Sequence, residues 1–518
     1  MNNWKLRLAG LLLAAASVWY IPWLAYHLNR QALWLSVPFA LATVLMAIMT
    51  FVTVINHWRN GQPEPHPLPA GNEPAIAIII PTAGEPPAMV YATAKSVLDQ
   101  DYPCAAMGVF ISDDAHSTPV REMVQRLRAE YPAAHIAYHE PPSRGDPRRR
   151  GEAKSGNLNS ALEMIQRYSP HVQFIETRDA DDLVGVPTFL REAIGQLVAA
   201  PEAAFVQTIK ESIVAPGDPF GNQEPLFYRK AMLAKHSDNA VFPCGSGMIW
   251  RRKALEDIGG FPTWNLVEDL QSGVEALRRG WRGIYLPIVG ALGQTAPEDI
   301  PNMIKQRGVW ALDTMRITFW LDKRGLNLMQ NLQFSELGFF YMLSLAVLTF
   351  MIVPIITLAF DVYPIITNHV AYIQHFWPYA AAVEFLLVAL ADGLPYEALW
   401  RSRQTWLGMA PVYVKATWLA LTNGPHHKPT YKVTRKTHAY AFYWREVLPQ
   451  IILFLALLGS SIYHVLTHPL LLTADLGSLF WACFFMLGLS RVIRNSWHGT
   501  QWSRRLKFWS RARDGGVR

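Results

Sequence analysis

The chain has 518 residues, a formal net charge of +7, and 51% hydrophobic against only 17% charged residues. That balance argues against a wholly soluble or disordered protein and fits a membrane protein with room for a soluble domain. Cys104, Cys244 and Cys483 are too few and too scattered for a disulfide framework or a zinc site, and suit a reducing compartment.

Two apolar stretches open the chain, residues 6–28 and 32–55. Each is long enough to cross a bilayer, which takes about 20 residues of helix. The first is too long in its apolar part for a signal peptide, and no small-residue cleavage site follows it. A proline-rich linker, residues 61–74, leads into a long region without a credible span. Hydrophobic runs return at 334–360, 371–394, 447–466 and 470–493, making six spans. Lys and Arg crowd the stretch between spans four and five and the tail after span six, whereas 361–370 and 467–469 hold none. The positive-inside rule then places both termini, the large insert and the basic loops in the cytosol of an integral plasma (inner) membrane protein. This topology accounts for the net basic charge, so nucleic acid is not an expected partner.

Within the insert, residues 75–81, 107–112, 135–140, 172–176 and 203–209 read as short strands. PPAMVYATAKSVLDQ and SGNLNSALEMIQRYS between them carry helical periodicity. Such alternation predicts an α/β domain with a mainly parallel sheet, whose ligands sit beyond the carboxyl ends of strands. Asp113 and Asp114 follow one predicted strand end, and Asp179 and Asp181 follow another.

The second cluster, FIETRDADD, gathers Glu176, Asp179, Asp181 and Asp182. Clustered carboxylates are rarely buried unless paired or metal-bound. Asp179 and Asp181, two residues apart, are able to share Mg2+ or Mn2+, although a solvated turn carries the same pattern. SRGDPRRRGEAKSGNLN brings Arg148, Arg149, Arg150 and Lys154 to a helix start. Cations and free backbone N–H groups there make an anion site suited to a diphosphate carrying its metal; a basic loop facing anionic lipid is the alternative. NLVEDLQSG puts Glu268 and Asp269 in a first helical turn, where acids favour the helix dipole or one of them serves as a general base. In IKQRGVWALDTMRITFW, Gln306 and Trp310 share a helix face that suits a membrane interface or a sugar ring.

Taken in order, PTAGEPP, SDDA, KSGNLN, DAD, VQT, FPCGSG, VED, QRGVW and YKVTRK resemble the processive family-2 glycosyltransferases, most closely the bacterial cellulose synthase type. The resemblance implies an α-helical transmembrane protein with an inserted cytosolic α/β GT-A (Rossmann-like) glycosyltransferase domain that uses a UDP-sugar. It implies that Thr82, Glu85, Asp113 or Asp114, and Lys154 hold the nucleotide, and that Asp179 and Asp181 hold the diphosphate through Mg2+ or Mn2+. Asp269, beside Glu268, would be the catalytic base. Cys244, Gly245, Gln306 and Trp310 would line the acceptor site, and Thr434 and Lys436 would belong to a gating loop over the donor.

Two departures stand out. Val309 occupies the place of the diphosphate-binding arginine, leaving Arg307 as its candidate substitute, and Val267 replaces a threonine. The implied division is 1–60, two spans; 61–299, the glycosyltransferase domain; 300–333, interface helices with QRGVW; 334–394, spans three and four; 395–445, an interface helix and the gating loop; 446–493, spans five and six; and 494–518, a basic cytosolic tail. A PilZ domain is not expected in this chain. The expected activity is processive synthesis of a β-glucan from UDP-glucose, with a growing polysaccharide acceptor, the bilayer and accessory export subunits as partners. A non-processive transferase acting on a lipid and a nucleotide-binding transporter or scaffold are the rival readings.

Overall fold

The computed structural model describes residues 4–427, 439–468 and 473–500. Helices α1 (Trp4–Tyr26) and α2 (Leu33–Asn56) form an N-terminal hairpin. Leu6, Ala9, Leu13, Ala16, Tyr20 and Leu24 recur at helical spacing and are buried, whereas Leu11, Val18 and Trp19 face outward. That split suits a helix with one side on protein and the other on lipid. Asn29 fixes the turn between them: its Oδ1 accepts from the Gln31 N–H at 3.0 Å and its Nδ2 donates to the Tyr363 carbonyl at 2.9 Å.

The insert builds eight strands: β1 (Ile76–Thr82), β2 (Met107–Asp113), β3 (His135–His139), β4 (Phe174–Thr177), β5 (Asp182–Val184), β6 (Ala203–Ser212), β7 (Met248–Arg251) and β8 (Arg282–Gly293). They form one sheet in the order β3-β2-β1-β4-β7-β6-β8-β5. The sheet is mainly parallel, as its sequence predicts, but β7 runs antiparallel to β4 and β6, and β5 runs antiparallel to β8. Ile76, Ile78 and Ile80 of β1 enter one core layer while Ala77 and Ile79 enter the other, so this strand is buried on both faces.

Helices α3 (Pro87–Leu98), α4 (Thr118–Glu130) and α6 (Phe189–Ala199) cover one side of the sheet through Val90, Val124 and Leu190. The other side is covered by α5 (Ala153–Tyr168), α7 (Met232–Ser237), α8 (Arg252–Asp257) and α9 (Glu268–Arg278) through Leu162, Leu233, Leu255 and Val274. The proline-rich stretch before β1 lies along α6, where Gln196 donates to the Glu64 carbonyl at 2.6 Å.

Beyond the sheet follow α10 (Ile300–Trp320), α11 (Leu328–Met342), α12 (Ser344–Phe360), α13 (His369–Leu390), α14 (Tyr396–Thr422), α15 (Leu448–Thr467) and α16 (Thr473–Asn495). Among the described residues, six helical segments are long and apolar enough to cross a membrane: α1, Arg30–Asn56, Leu328–Phe360, Val370–Leu390, α15 and Asp475–Asn495. The chain is an integral membrane protein with an α/β domain inserted between its second and third spans. Ile317 of α10 and Phe334 of α11 pack into the core of that domain. The last span is tied to it as well, since Arg491 Nε and Asn495 Nδ2 donate to the Pro219 carbonyl at 2.9 and 2.6 Å.

Candidate active site

The carboxyl ends of β1, β2 and β4 open on one crevice, with Thr82 and Asp113 in register across β1 and β2. Opposite them lies the loop FPCGSG, held by Gln207 of β6. The fully buried Gln207 amide accepts the Cys244 N–H at 2.7 Å and donates to the Thr208 and Ser246 carbonyls at 2.7 and 3.1 Å. Ser246 Oγ in turn accepts the Asp179 N–H at 3.2 Å. Gly245 has φ +83°, a left-handed conformation that glycine adopts without steric cost. A Cβ on it would stand 3.1 Å from Asp269 Oδ2, 3.4 Å from Lys154 Nζ and 4.0 Å from Asp179 Oδ2. Side chains from α9, α5 and the turn after β4 thus converge around one residue without a side chain.

The acid cluster after β4 divides its cations. Glu176 and Arg178, both fully buried, pair at 2.6 Å inside the domain. Lys154 Nζ lies 2.5 Å from Asp179 Oδ1, 3.0 Å from the Gly245 carbonyl and 3.9 Å from Glu268 Oε1. Lys210 Nζ bridges Asp179 Oδ2 at 2.7 Å and Asp182 Oδ2 at 2.8 Å. Burial alone would raise the pKa of Asp179, but the two ammonium groups outweigh it and hold the carboxyl well below the usual carboxylate range. At α9 the balance reverses. Burial, with the charge of Asp269 added and that of Lys154 opposing, pushes the Glu268 carboxyl up to about 7. Burial also raises Asp269, again against Lys154.

Asp269 Oδ1 accepts the Leu270 N–H at 2.8 Å. The loop before α9 is set by Asn265, whose Oδ1 accepts the Val267 N–H at 2.9 Å, and by Asp313 of α10, whose Oδ2 accepts the Leu266 N–H at 2.7 Å. Asp313 Oδ1 pairs at 2.7 Å with buried Arg316, which also donates to the Gly424 and His427 carbonyls at 3.0 and 2.7 Å. One ion pair therefore braces both the entry to α9 and the chain leaving α14.

Other expected site residues are engaged differently. Glu85 Oε2 accepts from Thr82 Oγ1 at 2.8 Å and the Ala83 N–H at 2.6 Å, closing the turn after β1. Asp113 is fully buried and accepts from the Ala115 and Ser117 N–H groups at 2.9 and 2.7 Å and the Tyr138 hydroxyl at 3.0 Å. Asp114 receives two bonds, at 2.8 and 2.9 Å, from buried Arg149. Both carboxylates therefore serve loop structure rather than standing open to the crevice. The expected basic cluster is dispersed for the same reason: Arg148 pairs with Asp146 at the surface and Arg150 donates to Asn159, which leaves Lys154 to reach Asp179. Lys210 takes the place expected of the arginines.

Arg307 does not reach toward this cluster. Its guanidinium donates to the Gly221 carbonyl at 2.6 Å and lies 3.2 Å from Glu224. On the same helix Gln306 is half-buried and Trp310 is 37% exposed. Cys244 is half-buried by its loop, and burial pushes its thiol up. Asp181 is buried; its carbonyl accepts the Gln294 N–H at 2.7 Å and its Oδ2 lies 3.5 Å from Thr295 Oγ1. Thr434 and Lys436 lie outside the described residues. The donor set fits a divalent ion: Asp179 and Asp181, two residues apart, offer hard oxygens of the kind Mg2+ and Mn2+ take, those of Asp179 being held here by Lys154 and Lys210.

Residues 74–312 match the family described as glycosyltransferase like family 2. The chain is similar to the cellulose synthase 1 catalytic subunit (UDP-forming) of Komagataeibacter xylinus, 30% identical over 320 residues, covering 59% of this chain and 40% of that one. The cellulose synthase catalytic subunit (UDP-forming) of Komagataeibacter sucrofermentans is 33% identical over 303 residues, covering 54% and 37%. The chain thus spans less than half the length of these relatives. A solved mannosyltransferase of Pyrobaculum calidifontis, in complex with GDP-Man and Mn2+, is 17% identical over 74% of this chain and 96% of that one, with a TM-score of 0.46, too low to bear on function.

Proposed function

We propose that the chain is a processive, inverting membrane glycosyltransferase that polymerises a β-glucan from UDP-glucose at the cytosolic face and passes it through its own membrane helices. The observation that carries this reading is the convergence of Asp269, Lys154 and Asp179 around Gly245. Similarity to UDP-forming cellulose synthase catalytic subunits supports the donor and product.

In this reading Asp269 removes the proton from an acceptor hydroxyl as that oxygen attacks the anomeric carbon. The bond from that carbon to UDP breaks on the opposite side, its electron pair leaves with the β-phosphate oxygen, and the configuration inverts. Glu268 is the neighbour best placed to keep a shared proton, which leaves Asp269 ionised for the task. Lys154 and Lys210 turn from Asp179 to the negative charge growing on UDP. A divalent ion held by Asp179 and Asp181 would neutralise the diphosphate when bound. Thr82 and Glu85 shape the nucleotide side; Cys244, Gly245, Gln306 and Trp310 form the acceptor side. Thr434 and Lys436 close over the donor and keep water from it. Asp113, Asp114 and Arg307 act as positioning residues, through the contacts described above.

UDP release by the purified protein in lipid, across a panel of UDP-sugars with Mg2+ or Mn2+, tests this. Release with UDP-glucose and a long product cut by β-glucanases is expected. Release with only short or lipid-soluble product would overturn processivity, and no release with any donor would overturn the transferase reading.

A further inference from the structure

At the end of the membrane helices remote from the sheet, ionisable side chains from three spans meet. Asp361 follows α12, His464 and His468 close α15, and Asp475 opens α16. The opposite end of α16 is the one bonded to Pro219 of the domain, so this cluster lies on the far side.

His464 is 1% exposed, and its Nδ1 lies 3.1 Å from the Leu358 carbonyl. The ring therefore donates through Nδ1–H, and Nε2 turns its lone pair toward Asp475 Oδ1 at 3.3 Å. That buried Nε2 has no hydrogen-bond partner. Two acceptors facing each other away from water need a cation between them. Close by, His468 Nε2 lies 3.4 Å from Asp361 Oδ2, and the two imidazoles stack with centroids 4.2 Å apart. One donor atom from each of Asp361, His464 and His468 lies within 4.8 Å of the others.

We propose that Asp361, His464 and His468, with Asp475 as a fourth donor, bind one divalent transition-metal ion of the Zn2+ kind that staples these spans on the face opposite the catalytic domain. Ligand atoms at about 2.0–2.2 Å from a tetrahedral ion stand about 3.3 Å apart. The 3.3 and 3.4 Å separations are edges of that size. Imidazole with carboxylate suits zinc better than the all-oxygen chemistry of Mg2+. The Leu358 carbonyl on Nδ1 supplies the outer acceptor that orients a metal-bound histidine, and the Tyr363 hydroxyl, donating to Asp475 Oδ1 at 2.6 Å, holds the carboxylate.

Co2+ titration of the full chain in lipid nanodiscs, read by visible d–d absorption, tests the site. One equivalent giving a tetrahedral band that Zn2+ displaces is expected. The band should persist in Asp181→Ala and disappear in the double variant Asp361→Asn, His468→Gln, whose side chains are both accessible enough to change without unfolding the chain. Each single variant should weaken Co2+ at least ~10-fold. No band, or a band that survives the double variant, would overturn the assignment.

Discussion

Gly245 lies so close to Asp269 that a methyl group on it would stand 3.1 Å from the carboxylate oxygen Oδ2. The same methyl would meet Lys154 Nζ at 3.4 Å, and φ +83° opposes any side chain. Gly245→Ala is therefore expected to lower transfer at least ~100-fold while costing only about 1–2 kcal/mol of stability. Turnover measured beside thermal unfolding checks this; near-normal turnover in a folded variant would show that the crevice is not where the reaction occurs.

Asp269→Asn keeps the shape of the site and removes the base. Transfer should fall roughly 10²- to 10⁴-fold with UDP-sugar affinity nearly unchanged. Calorimetric titration of donor beside single-turnover rates separates the two effects, and a rate near that of the parent protein would remove Asp269 from its role.

The pair at the start of α9 also sets a pH dependence. Burial favours the protonated forms of both: Glu268, with the charge of Asp269 added, is pushed up to about 7, and Asp269 is raised with the charge of Asp179 added. A base works ionised, and Asp269 is raised, so the rate should climb with pH along a limb above the ordinary carboxylate range of about 4. Glu268→Gln removes the neighbour that shares the proton and should move this limb to lower pH. A kcat/KM profile with the same limb in both proteins would contradict the coupling.

Lys210 neutralises two carboxylates at once, and Asp182 is almost fully buried. Lys210→Met leaves that acid without its cation, which costs about 3–5 kcal/mol when a buried pair is broken. Donor affinity should fall with it. Denaturant unfolding alongside UDP binding measures both, and an unchanged midpoint would mean that Asp182 finds its charge balance elsewhere.

Asp181→Ala is expected to abolish the difference in UDP affinity between buffer with Mn2+ and buffer with chelator. Equal metal enhancement in variant and parent would assign the ion to other ligands.

Much of this architecture is legible in the sequence because its signals are long or periodic. The six spans and the run of buried isoleucines in β1 announce themselves through hydropathy. β7 and β5 do not: at four and three residues they are too short for a pattern, and Pro287 with Gly290 and Gly293 masks β8. At the site, Gly245, Lys154 and Asp179 are gathered as the motif order implies. The pairing of cations with acids is not readable along the chain, because it depends on which strand lies next to which. Lys210 comes from β6, which adjoins β4 only through the unpredicted β7. Its nearest signal is its place three residues after Gln207, on a strand whose end enters the same crevice. The triple arginine misleads in the opposite sense, since Arg149 is used to secure the loop at Asp114.

The two lysines on Asp179 make the resting site a miniature ion exchanger, already loaded with its own internal salt. A neutral sugar or nucleoside brings nothing to trade for those contacts. A diphosphate arriving with a cation can take both ammonium groups while its metal takes the carboxylate, so like is exchanged for like. On the proposed function, rejection of free sugar would thus begin with charge accounting, before the fit of any ring is tested.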